Sequence, residues 1–143
     1  MIREKEKFNI ISLGCARNLV DSEVMAGLLE KNDYRIVQQP CDADVVLVNT
    51  CGFIGPAKEE SIETILEVSR LKEEGKIRKL VVAGCLSQRY SDEMARELPE
   101  VDLFIGTGEV PRIAEILREH EGNSTRRQYI GIPSYLYDHR TPR

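Results

Sequence analysis

Three apolar runs in this chain end in the same way, on a cysteine with a glycine beside it. Ile10-Ile11-Ser12-Leu13 leads into Gly14-Cys15, Val45-Val46-Leu47-Val48 leads through Asn49-Thr50 into Cys51-Gly52, and Leu80-Val81-Val82-Ala83 leads into Gly84-Cys85. Short aliphatic runs stopped by polar residues and glycine are the pattern of strands buried on both faces, as in a parallel sheet. All strands of a parallel sheet end on the same edge, so a residue type that recurs at strand ends recurs at one place. Such a chain has to cover both faces of its sheet with helices, and it delivers three thiols to one rim.

The rest of the chain alternates as this demands. Phe8 to Leu13 reads as the first strand and Gly14 to Arg17 as a loop, with Asn18 as a helix cap. Val20, Val24 and Leu28, with Met25 and Leu29, recur at helical spacing and predict an amphipathic helix over 19–31, ended by Asn32-Asp33. Tyr34 to Val37 is a short strand flanked by polar residues, as edge strands are, and Gln38 to Asp44 is a loop carrying Pro40 and Cys41. After the central strand, Pro56 suits the first turn of a helix that Gly75 terminates, with Ile62, Ile65, Leu66 and Ser69 on its inner face. Lys79 to Ala83 is the fourth strand, followed by a helix over 88–98 capped by Ser87. Asp102 to Ile105 is the fifth strand, Gly106-Thr107-Gly108 a turn, and Val110 to His120 a last helix with Pro111 in its first turn. Gly106-Thr107-Gly108 lacks the full pattern of a phosphate-binding loop and reads as a strand-to-helix turn.

Strands alternating with helices predict an α/β fold, a flavodoxin-like parallel sheet of about five strands in the order 2-1-3-4-5 flanked by helices. In that order the strands ending in Cys15, Cys51 and Cys85 are neighbours, spaced about 4.8 Å apart. They flank the crevice where such sheets hold their ligands. The domain is expected to span residues 1–122. Residues 123–143, polar and without periodicity, carry Arg126, Arg127, Arg140, Arg143, Pro133 and Pro142 and read as a linker, with room for one short strand at Gln128 to Ile132.

Composition matters here for what it does to the thiols. The chain has 143 residues, 41% of them hydrophobic and 31% charged, as in an ordinary single globular domain. Its apolar runs are of strand length, and its charged start, MIREKEK, lacks the apolar stretch of a signal peptide. The expected location is therefore cytoplasmic, where thiols stay reduced, and the four cysteines are expected as metal ligands, reactive groups or core residues rather than disulfides. A formal net charge of -4 does not suggest an electrostatic nucleic-acid binder, although a local basic patch is compatible with that sum.

Any one of these cysteines could fill core space, where free cysteine packs as a small hydrophobe. Strand ends face loops, however, and packing gives no reason for a thiol to recur there three times. Structural zinc takes four ligands, usually in Cys-x-x-Cys pairs, and no such pair is present. An iron–sulfur cubane accepts cysteines from separate elements; three would leave one iron open, and the adjacent glycines let the backbone approach. A cluster held by Cys15, Cys51 and Cys85 is the reading the residues favour. Cys41, in the loop before the third strand, falls on the opposite edge and reads as incidental. His120 and His139 receive no role, and the charges at Lys58-Glu59-Glu60 and Glu73-Glu74 read as a solvated helix face.

These residues resemble a known family. Ser12-Leu13-Gly14-Cys15-Ala16-Arg17-Asn18-Leu19-Val20-Asp21-Ser22-Glu23 looks like the first signature of the methylthiotransferase amino-terminal domain. Asn49-Thr50-Cys51-Gly52-Phe53-Ile54, with Ala57-Lys58-Glu59-Glu60-Ser61, resembles the second. Gly84-Cys85-Leu86-Ser87-Gln88-Arg89-Tyr90 resembles the third. The likeness covers about residues 9–117. It implies that Cys15, Cys51 and Cys85 hold an auxiliary 4Fe–4S cluster whose open iron serves sulfur delivery. It implies a second 4Fe–4S cluster and S-adenosylmethionine in a radical domain of the full-length enzyme, together with a sulfur donor. The tRNA-adenosine branch of the family typically reads Gly-Cys-Gln-Met-Asn at the first signature. Gly14-Cys15-Ala16-Arg17-Asn18 is closer to the branch that methylthiolates an aspartate of a small-subunit ribosomal protein.

The Cys-x-x-x-Cys-x-x-Cys signature of the radical domain is absent from this chain, so it is expected to be one domain of such a transferase and not catalytic alone. Tyr135 to Arg143 then reads as the way into the radical domain, its expected partner. Two alternatives stand beside this: the same domain from the tRNA-modifying branch, and a flavodoxin-like binding module. The module is disfavoured because the first strand ends in Cys15 rather than the acidic residues of a receiver, and because Gly14 to Asn18 makes a poor flavin-phosphate loop.

Overall fold

The fold was obtained as a computed structural model, which describes residues 6–13, 16–50, 55–84, 92–121 and 128–129. Its elements in chain order are β1 (Glu6–Ser12), α1 (Ala16–Lys31), β2 (Tyr34–Ile36), β3 (Val45–Thr50), α2 (Gly55–Glu73), β4 (Lys79–Gly84), helical residues 92–97 as α3, β5 (Leu103–Ile105), α4 (Ile113–Glu121) and β6 (Gln128–Tyr129). Short 3-10 turns at Pro40–Asp42 and Thr107–Arg112 precede β3 and α4.

All strand pairs are parallel and the sheet order is β2-β1-β3-β4-β5-β6. The first five strands stand in the expected order. The sixth is the short strand foreseen at 128–132: Gln128 pairs with Phe104 and Tyr129 with Ile105. Every residue of β3 and β4 is buried, as unbroken aliphatic strands in the middle of a doubly covered sheet must be.

Two apolar cores result, one on each face. Met25 and Leu29 of α1 and Ile113, Ile116 and Leu117 of α4 pack on Phe8, Leu47, Val81 and Ile105. On the other face Ile65 and Val68 of α2 and Met94 and Leu98, from α3 and its end, pack on Val46, Val48, Leu80 and Phe104. Alternate residues of one strand serve the two cores, the period-2 geometry of a pleated strand.

The amino ends of the central strands are held level by one residue, Asp44. Its Oδ2 accepts the Lys7 N–H at 2.9 Å, its N–H donates to Lys7 O at 2.9 Å, and its own carbonyl accepts Arg78 N–H at 2.7 Å. Farther along, Lys72 on α2 donates to Asp102 Oδ2 at 2.7 Å and to Glu100 O at 2.9 Å, while the same Asp102 oxygen accepts Leu80 N–H at 2.8 Å. That links α2 to the start of β5.

Two helix starts and two buried faces differ from the sequence expectation. Helix α1 begins at Ala16 rather than after Asn18, so Asn18 lies inside its first turn; Ala16 and Arg17 are strong helix formers and extend it backwards. It ends as foreseen: Asn32 Nδ2 donates to Leu28 O at 2.7 Å, and Asp33 takes the left-handed conformation, φ 68°. Leu19, Val20 and Val24 are exposed, while Met25 and Leu29 are buried, so the apolar stripe is wider than the face the sheet covers. On α2 the buried side chains are Ser61, Ile65, Val68 and Ser69, and Leu66 is exposed. The last helix becomes α-helical only at Ile113, because the stretch containing Pro111 takes the tighter 3-10 form. Gly75 ends α2 at φ 77°, as its position after Glu74 required. The start of the helix expected over 88–98 lies outside the described residues.

Candidate functional site

The sheet brings the three thiol-bearing strands side by side. β3 lies between β1 and β4, and the register runs level across them: Ser12 is opposite Asn49, Asn49 opposite Ala83, and Thr50 opposite Gly84. Leu13 N–H donates to Asn49 O at 3.0 Å, continuing the β1–β3 ladder one residue past Ser12. Cys15, Cys51 and Cys85 themselves lie outside the described residues. By sequence count, Cys51 and Cys85 each follow the paired Thr50 and Gly84 by one residue, and Cys15 follows Leu13 by two. Among the described residues, no group of three or more His, Cys, Asp or Glu side chains could hold a metal ion.

The described end of β4 is shaped by close backbone approach. Gly84 has φ 97°, and a Cβ there would stand 2.4 Å from the Thr50 carbonyl oxygen and 2.7 Å from Asn49 Oδ1. No other residue fits, which explains why glycine precedes Cys85. Thr50 is fully buried and its Oγ1 donates to Ala83 O at 2.6 Å, a side-chain tie across the same two strand ends. Asn49 is 1% exposed and its Nδ2 donates to Ser22 Oγ at 3.0 Å, joining β3 to α1. These polar residues continue an otherwise aliphatic strand into its last two positions. A buried amide or hydroxyl costs free energy unless bonded, and here each is bonded to a neighbouring element.

The sequence pointed to Gly84 as a glycine beside a ligand, whereas Asn49, Thr50 and Ser22 stood within the motifs without a role of their own. The signal was available in Asn49, an amide following four aliphatic residues inside a strand with no solvent-facing side. Its partner Ser22 could not be read, because the pairing spans 27 residues of sequence.

Cys41 is exposed and unpaired, within the 3-10 turn before β3, and so stands at the amino edge of the sheet, opposite the rim where the three strands end. Gly106 caps a 3-10 turn rather than a phosphate loop. At that turn Arg112 pairs with Glu109 at 2.6 Å and lies 3.6 Å from Glu115. The Glu115 hydrogen bond, with Glu109 adding to it, raises the guanidinium pKa further and keeps it charged. A cavity of about 420 Å³ lined by Glu30, Tyr34, Arg35, Ile36 and Gln38 lies at the β2 edge of the sheet.

A doubly wound parallel sheet, with Gly84 letting the ends of β3 and β4 approach closely, defines the class, and comparison with known proteins defines the family. The model of "Uncharacterized protein family UPF0004" matches residues 7–106, and the chain belongs to that family, the methylthiotransferase amino-terminal domain. Its relatives include proteins named "Ribosomal protein uS12 methylthiotransferase RimO". That of Syntrophotalea carbinolica is 56% identical over 98% of this chain, and that of Heliobacterium modesticaldum 57% identical over 96%. A third, from Pelobacter propionicus, is 53% identical over 98%. The chain spans 31%, 30% and 31% of these relatives' own lengths. Among the described residues no helix is long and apolar enough to cross a membrane.

Proposed function

We propose that this chain is the auxiliary-cluster domain of a radical S-adenosylmethionine methylthiotransferase acting on an aspartate of ribosomal protein uS12, with Cys15, Cys51 and Cys85 as the ligands of a 4Fe–4S cluster. The observation that carries the reading is the level register of β1, β3 and β4. Three neighbouring strand ends spanning about 10 Å run, within one or two residues, into three cysteines. A donor set of three thiolates from separate elements suits a cubane with one iron left to an outside ligand, and does not suit a closed four-ligand zinc site. The names of the relatives, ribosomal protein uS12 methylthiotransferases, support the ribosomal-protein substrate and the methylthio chemistry. The remaining two-thirds of such a protein would contain the radical domain, its own cluster and S-adenosylmethionine. A sulfur donor would be needed as well, and the setting would be the cytoplasm.

When bound, the cluster would supply an open iron to which sulfur can be attached for delivery. The chain's own contribution is to hold the rim. Gly84 lets β4 approach β3, Thr50 ties the two strands, and the ladder from Leu13 to Asn49 brings in β1.

The test is iron and acid-labile sulfide per chain after anaerobic reconstitution. The expected result is about four of each, the content of a cubane. Substituting Cys15, Cys51 and Cys85 together by alanine should abolish uptake. Cys41→Ser, at the other edge of the sheet, should leave it unchanged. Full retention of iron in the triple variant would sink the proposal.

A further inference from the structure

Asn49 stands in register between the strand ends that run into Cys15 and Cys85 and lies two residues before Cys51, and we propose that it is the positioning residue of the rim, acting together with Ser22. This rests on the cluster reading above. Two hydrogen bonds and the space its side chain fills beside Gly84 carry it. The Asn49 carbonyl accepts the N–H of Leu13, two residues before Cys15. Its Nδ2 donates to the buried Ser22 Oγ. Its Oδ1 stands 2.7 Å from where a Gly84 Cβ would be, and Gly84 immediately precedes Cys85. Asn49 is itself two residues before Cys51.

The bond to Ser22 extends this control to α1. That helix begins at Ala16, the residue after Cys15, and Ser22 lies within its second turn. Pinning Ser22 to β3 therefore fixes the height of the helix whose first residue follows a ligand. The Asn49 carboxamide bonds α1 through its nitrogen, while its oxygen fills the space beside Gly84 that a Cβ would need. An aliphatic residue would extend Val45–Val48 at lower desolvation cost, but it would remove the side-chain bond from β3 to α1 and leave that helix held there by apolar packing, which is less directional. Partners behind the direct ligands orient metal sites in this way, and losing one weakens metal retention by roughly 10- to 100-fold.

The experiment loads the full chain anaerobically with ferrous iron and sulfide, then measures the rate of iron loss to a chelator. The electron paramagnetic resonance spectrum of the reduced cluster and the thermal unfolding of the unloaded chain are recorded alongside. Ser22→Ala and Asn49→Ala should lose iron roughly tenfold faster than wild type and show an altered spectrum. Ser22→Thr, which keeps the hydroxyl, should restore both. Asn9→Ala serves as the control: Asn9 is buried in β1 and its Nδ2 donates to Val37 O at 2.9 Å, so it should lower thermal stability without changing iron loss.

Wild-type rates and spectra in both Ser22→Ala and Asn49→Ala would overturn the inference, as would an Asn9→Ala control that loses iron faster in the same proportion to its lost thermal stability. If Asn49→Ala does not fold, Ser22→Ala and its threonine counterpart decide the matter alone. A wild-type chain that takes up no iron would overturn the cluster reading first, which is a separate result.

Discussion

At Gly84 two constraints coincide in one residue. Its positive φ excludes a side chain on conformational grounds, and the Thr50 carbonyl fills the space a Cβ would need. Gly84→Ala is therefore expected to lower the free energy of unfolding by at least about 2 kcal/mol, measured by urea denaturation of the unloaded chain. Gly27 is the contrast: nothing lies within 4 Å of its would-be Cβ, and it sits in a helix interior where alanine is favoured. One glycine is required by the approach of two strands and the other is not, although the sequence shows the same letter at both.

Helix α1 shows what the packing of an element adds to its pattern. Val24 and Met25 are adjacent in sequence, yet Val24 is 45% exposed and Met25 fully buried. Met25→Ala should cost about 2–5 kcal/mol through the cavity it opens among Phe8, Leu29 and their neighbours. Val24→Ala should change stability by no more than about 0.5 kcal/mol. Chemical denaturation of the two variants side by side checks both. Equal effects would mean that the apolar stripe, and not the sheet, defines the face of the helix.

For the whole molecule, the proposed cluster would be a cross-link between three strands and a helix. A ligand that binds the folded state and not the unfolded one stabilises it by mass action. The loaded chain should therefore unfold at least about 5 °C above the unloaded chain in an anaerobic thermal scan. That difference should vanish in the Cys15, Cys51 and Cys85 triple alanine variant. An equal midpoint for loaded and unloaded wild type would mean that iron binds without bridging the strands.

Local chemistry determined a great deal here. The unbroken aliphatic runs of β3 and β4 could only be central strands, and their alternation with helical patterns sufficed for the parallel order 2-1-3-4-5. The brevity and polar flanks of Tyr34–Ile36 placed that strand at an edge. The same local patterns put the three cysteines after neighbouring strands and Cys41 at the other edge, because parallel strands share one direction. What the sequence could not contain was the pairing of residues far apart along the chain. Ser22 with Asn49, Lys72 with Asp102, and Asp44 with Lys7 and Arg78 depend on which strands become neighbours and at what register. The division of α1 into covered Met25 and uncovered Val24 depends on the same assembly, since periodicity gives a helix an apolar stripe but only the neighbouring sheet decides how much of it is buried.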